Sequence, residues 1–243
     1  MKKKDSIKAY DLIRRIKNYD ADMIKMHPNR DKMIEIALEF LPFESTSSLY
    51  AIDLGIGTGV FTNRFLNKFP NSKMVAVDGA KNMIDLAIER LGGLAERIDF
   101  EISDLRRFDI TQQYVSSFDV AISSFVFHHL SKDEKRNLLK KVWLLLKPGG
   151  WFLNADLVIN ESEVIENRIQ DLRVNGIIKR CKGIDSRFKN FETTRNFLTE
   201  LELNEGDNPL TITEDLELIK DAKFSYYGTL WQEFREIVYC GMK

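Results

Sequence analysis

The chain has 243 residues, 44% of them hydrophobic, enough for one substantial core arranged as one domain with an insertion rather than two equal domains. Lys and Arg (36) nearly cancel Asp and Glu (37), so the overall charge gives no argument for a nucleic-acid or membrane surface, and any basic patch must be local. The two cysteines, Cys181 and Cys240, fit neither a zinc-ligand spacing nor a disulfide framework; the expectation is no metal and a reducing cytoplasm.

In chain order, MKKKDSIKAYDLIRRI is basic but lacks the apolar run of a secretory leader, and no window approaches the roughly 18 uninterrupted apolar residues of a membrane span. Residues 1–48 read as a helical cap ending in the linker-like FESTSS. From residue 49, short apolar runs alternate with amphipathic stretches, the signature of βαβ units around a parallel sheet. Strands are predicted at 49–54, 73–78, 98–103, 118–123 and 151–158.

A helix is predicted over 131–146, where Ser131 and Glu134 form a capping box and Leu138, Leu139, Val142, Leu145 and Leu146 share a face. Lys147-Pro148-Gly149-Gly150 ends it and allows a tight reversal into the next strand. Residues 159–210 are an insertion, mostly helical and placed as a substrate lid, with 49–158 as the core. Residues 211–243 complete the sheet: Thr211 and Glu214 cap a helix, and 223–231 and 234–242 form an antiparallel hairpin across Gln232 and Glu233.

The sharpest motif is AIDLGIGTGVFT (51–62), a buried strand ending in Asp53, followed by Gly55-Ile56-Gly57-Thr58-Gly59 and a helix. Glycines let a ligand approach the backbone, and the helix start presents free N–H groups. Alone, such a turn also suits a dinucleotide site or a purely structural role. The G-x-G-x-G spacing, with a carboxylate that would repel phosphates yet hold an ammonium, favours a nucleoside without pyrophosphate, such as S-adenosylmethionine (SAM).

About 20 residues on, Asp78 ends the second strand where an acidic side chain accepts from ribose hydroxyls, the alternative being a helix cap. Met83 is placed either against adenine or in the core. At the third strand end, the Asp104 carboxylate can accept from the adenine amino group and the Leu105 N–H can donate to a ring nitrogen.

Taken together, AIDLGIGTG, VAVDGAKNMIDLA, SDLRRFD, FDVAISSFVFHHL and LLKPGGWFLNADLV resemble the class I, Rossmann-like SAM-dependent methyltransferases of small-molecule type, over roughly 49–158 and more loosely through 211–243. The resemblance implies an α/β, doubly wound, mostly parallel seven-stranded sheet of order 3-2-1-4-5-7-6. It implies contacts from Gly55, Ile56 and Gly57 to the methionine part of SAM, from Asp78 and Gly79 to ribose, from Asp104 and Leu105 to adenine, and from Ser124 near the sulfonium. DMIKMHPNRDKMI (22–34) is similar to a segment of carboxy-SAM synthase-like proteins, which implies that Arg30 reaches a cofactor carboxylate. The fourth strand departs from that subfamily, so its reaction is not carried over.

The expected activity is methyl transfer from SAM to a small-molecule acceptor, leaving S-adenosylhomocysteine (SAH). His128, then His129, are the candidate general bases, against a packing or capping role for each. Arg168, Arg173, Lys179, Arg180, Lys182, Arg187, Lys189 and Arg195, with Phe188 and Phe191 among them, make the insertion locally cationic. That leaves RNA methylation as an alternative, alongside a SAM-binding protein without catalysis and an NAD(P)-linked oxidoreductase, the last disfavoured by the glycine spacing. The oligomeric state is open, a homodimer being compatible with the sequence.

Overall fold

The computed structural model describes residues 6–12, 18–109 and 112–243; residues 1–5 and 13–17, which belong to the predicted N-terminal cap and the basic opening, lie outside the described residues. Seven strands form one sheet of order β3-β2-β1-β4-β5-β7-β6, as the resemblance implies. They are β1 (Tyr50–Leu54), β2 (Lys73–Asp78), β3 (Ile98–Ile102), β4 (Phe118–Ser124), β5 (Leu146–Leu157), β6 (Tyr226–Glu233) and β7 (Glu236–Met242). The first five run parallel, and β7 is antiparallel to both β5 and β6.

The central strands read as continuous apolar runs because both faces of the sheet are covered. In β2, Met74 and Ala76 pack into one core layer and Val75 and Val77 into the other. The first layer holds Phe61, Phe65 and Leu66 of helix α4 (Val60–Lys68) and Met83, Ile84 and Ala87 of α5 (Lys81–Leu91). It also takes Met33, Ile34 and Ala37 of α3 (Arg30–Phe40). The second layer is closed by α6 (Lys132–Leu145) and α9 (Ile212–Asp221), each opened by the capping box read from the sequence, Ser131 with Glu134 and Thr211 with Glu214.

Two boundaries differ from the sequence expectation. Lys147-Pro148-Gly149-Gly150 ends α6 but opens no separate turn: β5 starts at Leu146, and the segment is held by Gly149 N–H donating to the Lys243 carbonyl (2.9 Å) and Lys243 N–H donating to that of Gly150 (3.0 Å). The last hairpin turns at Phe234 and Arg235, and Gln232 and Glu233 belong to β6. Phe234 adopts φ +54°, a left-handed conformation that no glycine or asparagine advertises in the sequence.

Short α1 (Ser6–Tyr10) and α2 (Tyr19–Met26) approach the carboxyl ends of the strands together with α7 (Glu163–Cys181) and α8 (Phe191–Glu205) of the insertion. Met26, Val174, Ile177, Cys181, Phe188 and Leu198 form a small core of their own, so α2 and the insertion share one apolar centre. Among the described residues no helix is long and apolar enough to cross a membrane.

Candidate functional site

Parallel strands deliver their carboxyl ends to one edge, and the chemistry gathers there. After β1, the N–H groups of Gly55 and Ile56 both donate to the Val77 carbonyl (2.8 and 3.1 Å), and Gly57 N–H donates to Asp78 Oδ2 (2.8 Å). Asp78 Oδ1 accepts from Ala80 N–H (2.8 Å), so this carboxylate ties the glycine turn to the start of α5 while facing the cavity. Burial raises the Asp78 pKa against these backbone donors.

Asp53 is fully buried and accepts from the Thr62 hydroxyl at 2.6 Å. Burial, with the Asp78 charge adding to it, pushes its carboxyl up to about 7.

A cavity of about 850 Å³, open mouth included, lies over this edge. Its walls include Arg30, Asp53, Gly55, Ile56, Gly57, Asp78, Gly79, Met83, Asp104, Leu105 and Ser124, which brings every cofactor-binding residue expected from the sequence to one place. A Cβ built on Gly57 (φ +53°) meets no atom within 4 Å.

Two buried polar atoms at these walls, Arg30 Nε and Ser124 Oγ, have no hydrogen-bond partner. Arg30 Nη1 is held by Asp20 (3.0 Å), which also accepts from Thr58 Oγ1 (3.0 Å) and pairs with Arg90, so α2 is pinned to the glycine turn. The Asp104 carboxylate is gripped by the N–H and Nε of Arg106 (3.0 and 2.8 Å), a neighbour the sequence reading passed over. Burial would raise the Asp104 pKa, but the Arg106 bonds prevail and hold it below the usual carboxylate range. The walls also include Tyr10 and Tyr19, which carried no motif in the sequence.

The two histidines occupy different positions. They lie on a 3-10 turn, Phe127–His129, after β4. His129 is at the cavity wall and His128 is behind it, so the second-ranked candidate base is the one beside the cofactor residues. His128 Nδ1 is 2.5 Å from Asp156 Oδ1, and its N–H donates to Asp156 Oδ2 (3.2 Å). Burial opposes the charged imidazole there, but the Asp156 carboxylate outweighs it and raises the His128 pKa. His129 moves the other way: burial and the adjacent His128 lower its pKa, with Asp207 opposing.

A second, smaller chamber of about 370 Å³, its open side included, shares Tyr10, Tyr19 and Phe125 with the first cavity and is bounded further in by His27, His128, Arg173, Glu202 and Asp207. Phe125 holds φ +55°, a cost borne where its ring packs on His27 at 4.8 Å. The cationic insertion is less free than its composition indicates. Arg187 binds Asp22 (2.6 and 2.9 Å), Arg173 pairs with Glu202, and Phe188 is core.

The sheet order, the glycine turn and the acidic strand ends give the Rossmann-like methyltransferase fold with a cavity at its carboxyl edge. Residues 51–150, which carry the glycine turn and the three acidic strand ends, match the family described as "Methyltransferase domain". It is 24% identical to malonyl-[acyl-carrier protein] O-methyltransferase 2 of Ilyobacter polytropus, over 79% of this chain and 60% of that protein. It is 23% identical to carboxy-S-adenosyl-L-methionine synthase of Nautilia profundicola, over 86% of this chain and 83% of that one.

Among solved structures, an O-methyltransferase family protein from Burkholderia thailandensis superposes with a TM-score of 0.70 at 15% identity, covering 98% of this chain and 63% of that one. Phosphoethanolamine N-methyltransferase 2 of Haemonchus contortus, solved with SAM, gives 0.66 at 16%, covering 93% and 45%. These likenesses concern the fold, and the matched region spans 60% of the length of the first curated relatives.

Proposed function

We propose that this chain binds SAM in the larger cavity and transfers its methyl group to a small-molecule acceptor in the second chamber. The observation that carries the reading is the convergence of the glycine turn, Asp53, Asp78, Asp104 and Arg30 on one cavity with unfilled polar capacity. Those residues fit SAM at each end. Arg30 Nε is free to meet a carboxylate, Asp53 an ammonium, Asp78 the ribose hydroxyls, and Asp104 with Leu105 the adenine edge. The open space at Gly57 leaves room for the methionine part.

SAM supplies an activated methyl group on a sulfonium, displaced in line by the acceptor. The protein aligns the two and excludes water. Tyr10, Tyr19 and Phe125 stand between cavity and chamber, while α1, α2 and the insertion cover the edge. That cover over the edge supports a small acceptor. RNA methylation is disfavoured because Arg173 and Arg187 are spent on internal carboxylates and Phe188 is buried.

Calorimetry with SAH and with NADH tests the cofactor. Saturable 1:1 binding of SAH and none of NADH is expected, and a folded protein that ignores SAH ends the reading. Once labelled SAM has identified an acceptor in extracts, His129→Ala should slow transfer by about 10²-fold with SAH affinity retained, the scale of a positioned polar group at the reacting centre. Equal rates would remove His129 from the acceptor side.

A further inference from the structure

The tip of the HHL segment is built in a way that methyl transfer alone does not require. Asp207 follows α8 and is brought to the histidines by the backbone: Asn208 N–H donates to the His128 carbonyl at 2.6 Å, and Asp207 N–H to that of Glu202 at 3.0 Å. The two imidazole rings lie 4.0 Å apart, and one donor atom from each of His128, His129 and Asp207 falls within 4.8 Å of the others.

His129 Nδ1 and Asp207 Oδ1 pair at 2.9 Å, both buried and neither with a further hydrogen-bond partner. The His129 side chain is only 9% exposed. Two donors that share one ion with bonds of about 2.1 Å stand about 3.0–3.4 Å apart, so the pair needs to open by only a few tenths of an ångström to take an ion between them.

We infer that His128, His129 and Asp207 form a site for one divalent first-row transition-metal ion at the boundary between the cofactor cavity and the second chamber. Asp156 completes it: by holding His128 Nδ1 it leaves Nε2, 3.9 Å from Asp207 Oδ1, as the atom that faces the ion. Carboxylates orient metal-binding imidazoles in this way. Two imidazoles and one carboxylate suit zinc, cobalt, iron or nickel rather than calcium or magnesium.

Three protein ligands leave positions open, and the second chamber, which His128 and Asp207 line, has space beside them for a single donor group. That donor belongs to the acceptor: an oxygen or sulfur on the ion gives up its proton to solvent, then bonds the methyl carbon as the carbon–sulfur bond of SAM breaks and SAH leaves. This use rests on the methyltransferase reading, whereas the metal site itself does not.

The test is a titration of metal-stripped full-length protein with Co²⁺, followed by visible d–d absorption, with Zn²⁺ as competitor and SAH binding measured on the same samples. One Co²⁺ per chain, displaced by Zn²⁺, is expected. His129→Gln and Asp207→Asn should each weaken it at least about tenfold while SAH still binds, and Asp156→Asn should weaken it about tenfold through His128. Wild-type protein that binds SAH but shows no Co²⁺ spectrum overturns the metal site and leaves the cofactor reading intact. Protein that binds Co²⁺ but not SAH does the reverse. Unchanged Co²⁺ affinity in a folded His129→Gln variant places the ion elsewhere and also overturns the proposal.

Discussion

Alanine at Gly55 will destabilise the fold by about 2–5 kcal/mol, whereas alanine at Gly57 will cost about 1 kcal/mol and act on ligand binding instead. Gly55 sits at φ +87°, and a Cβ there would lie 2.3 Å from Val126 Cγ2 and 3.2 Å from Val126 Cβ. A branched side chain cannot swing clear of such an approach, so Val126 and the turn that follows it must shift. Backbone strain and overpacking therefore add at one position.

Against a total stability of about 5–15 kcal/mol this is a large fraction, and thermal melting should drop by on the order of 10 °C. Gly57 also has a positive φ, but its missing Cβ points into open space. On the proposed placement of SAM, its methyl group would occupy the room of the methionine part. Gly57→Ala should melt close to wild type and bind SAH at least about tenfold more weakly, a loss of about 1.4 kcal/mol or more. Melting curves and calorimetry on both variants check the pair. A Gly55→Ala protein as stable as wild type would mean that Val126 yields without cost, and unchanged SAH affinity in Gly57→Ala would mean that the ligand lies elsewhere.

The contrast shows which parts of the site were legible in the sequence. A strand end followed by glycines is a local pattern, and a parallel sheet places every strand end at one edge. Asp53, Asp78 and Asp104 could thus be assigned to a common site from three separate windows of sequence. The periodicities behind α6 and α9 and their capping boxes are local in the same sense.

What escaped depends on contacts between remote segments or on a conformation the residue type hides. Asp156 and Asp207 meet the histidines only after β5 and α8 are folded, and although Asp156 sits in the LLKPGGWFLNADLV stretch, nothing in the sequence pairs either carboxylate with a histidine. Tyr10 and Tyr19 are ordinary aromatic residues until their rings pack edge to face at 5.8 Å beside the cavity. The insertion read as cationic because composition counts charges, whereas Asp22 and Glu202 consume two of them inside the fold. The last hairpin was displaced by two residues because Phe234 takes the left-handed turn conformation usually left to glycine.

Binding of SAM or SAH near pH 6 will release about one proton, and Asp53 will be its source. In the free protein, burial holds this carboxyl at about 7, so at pH 6 it is mostly neutral. An ammonium in the cavity favours the ionised form and lowers the pKa of the bound state, so the proton must leave as the ligand arrives. Affinity should therefore rise with pH up to about 7 and then level off. It should fall again above about 8, where the ligand's own α-amino group loses its charge. Calorimetry at pH 6 in buffers of different ionisation enthalpy reads the proton directly: the apparent binding enthalpy should vary with buffer enthalpy with a slope of about one proton released. Asp53→Asn keeps the hydrogen-bonding shape but cannot ionise, so it should bind more weakly above pH 7 and show neither the slope nor the rise below it. A wild-type slope of zero would separate Asp53 from the ammonium and confine it to holding Thr62, its one side-chain partner at 2.6 Å.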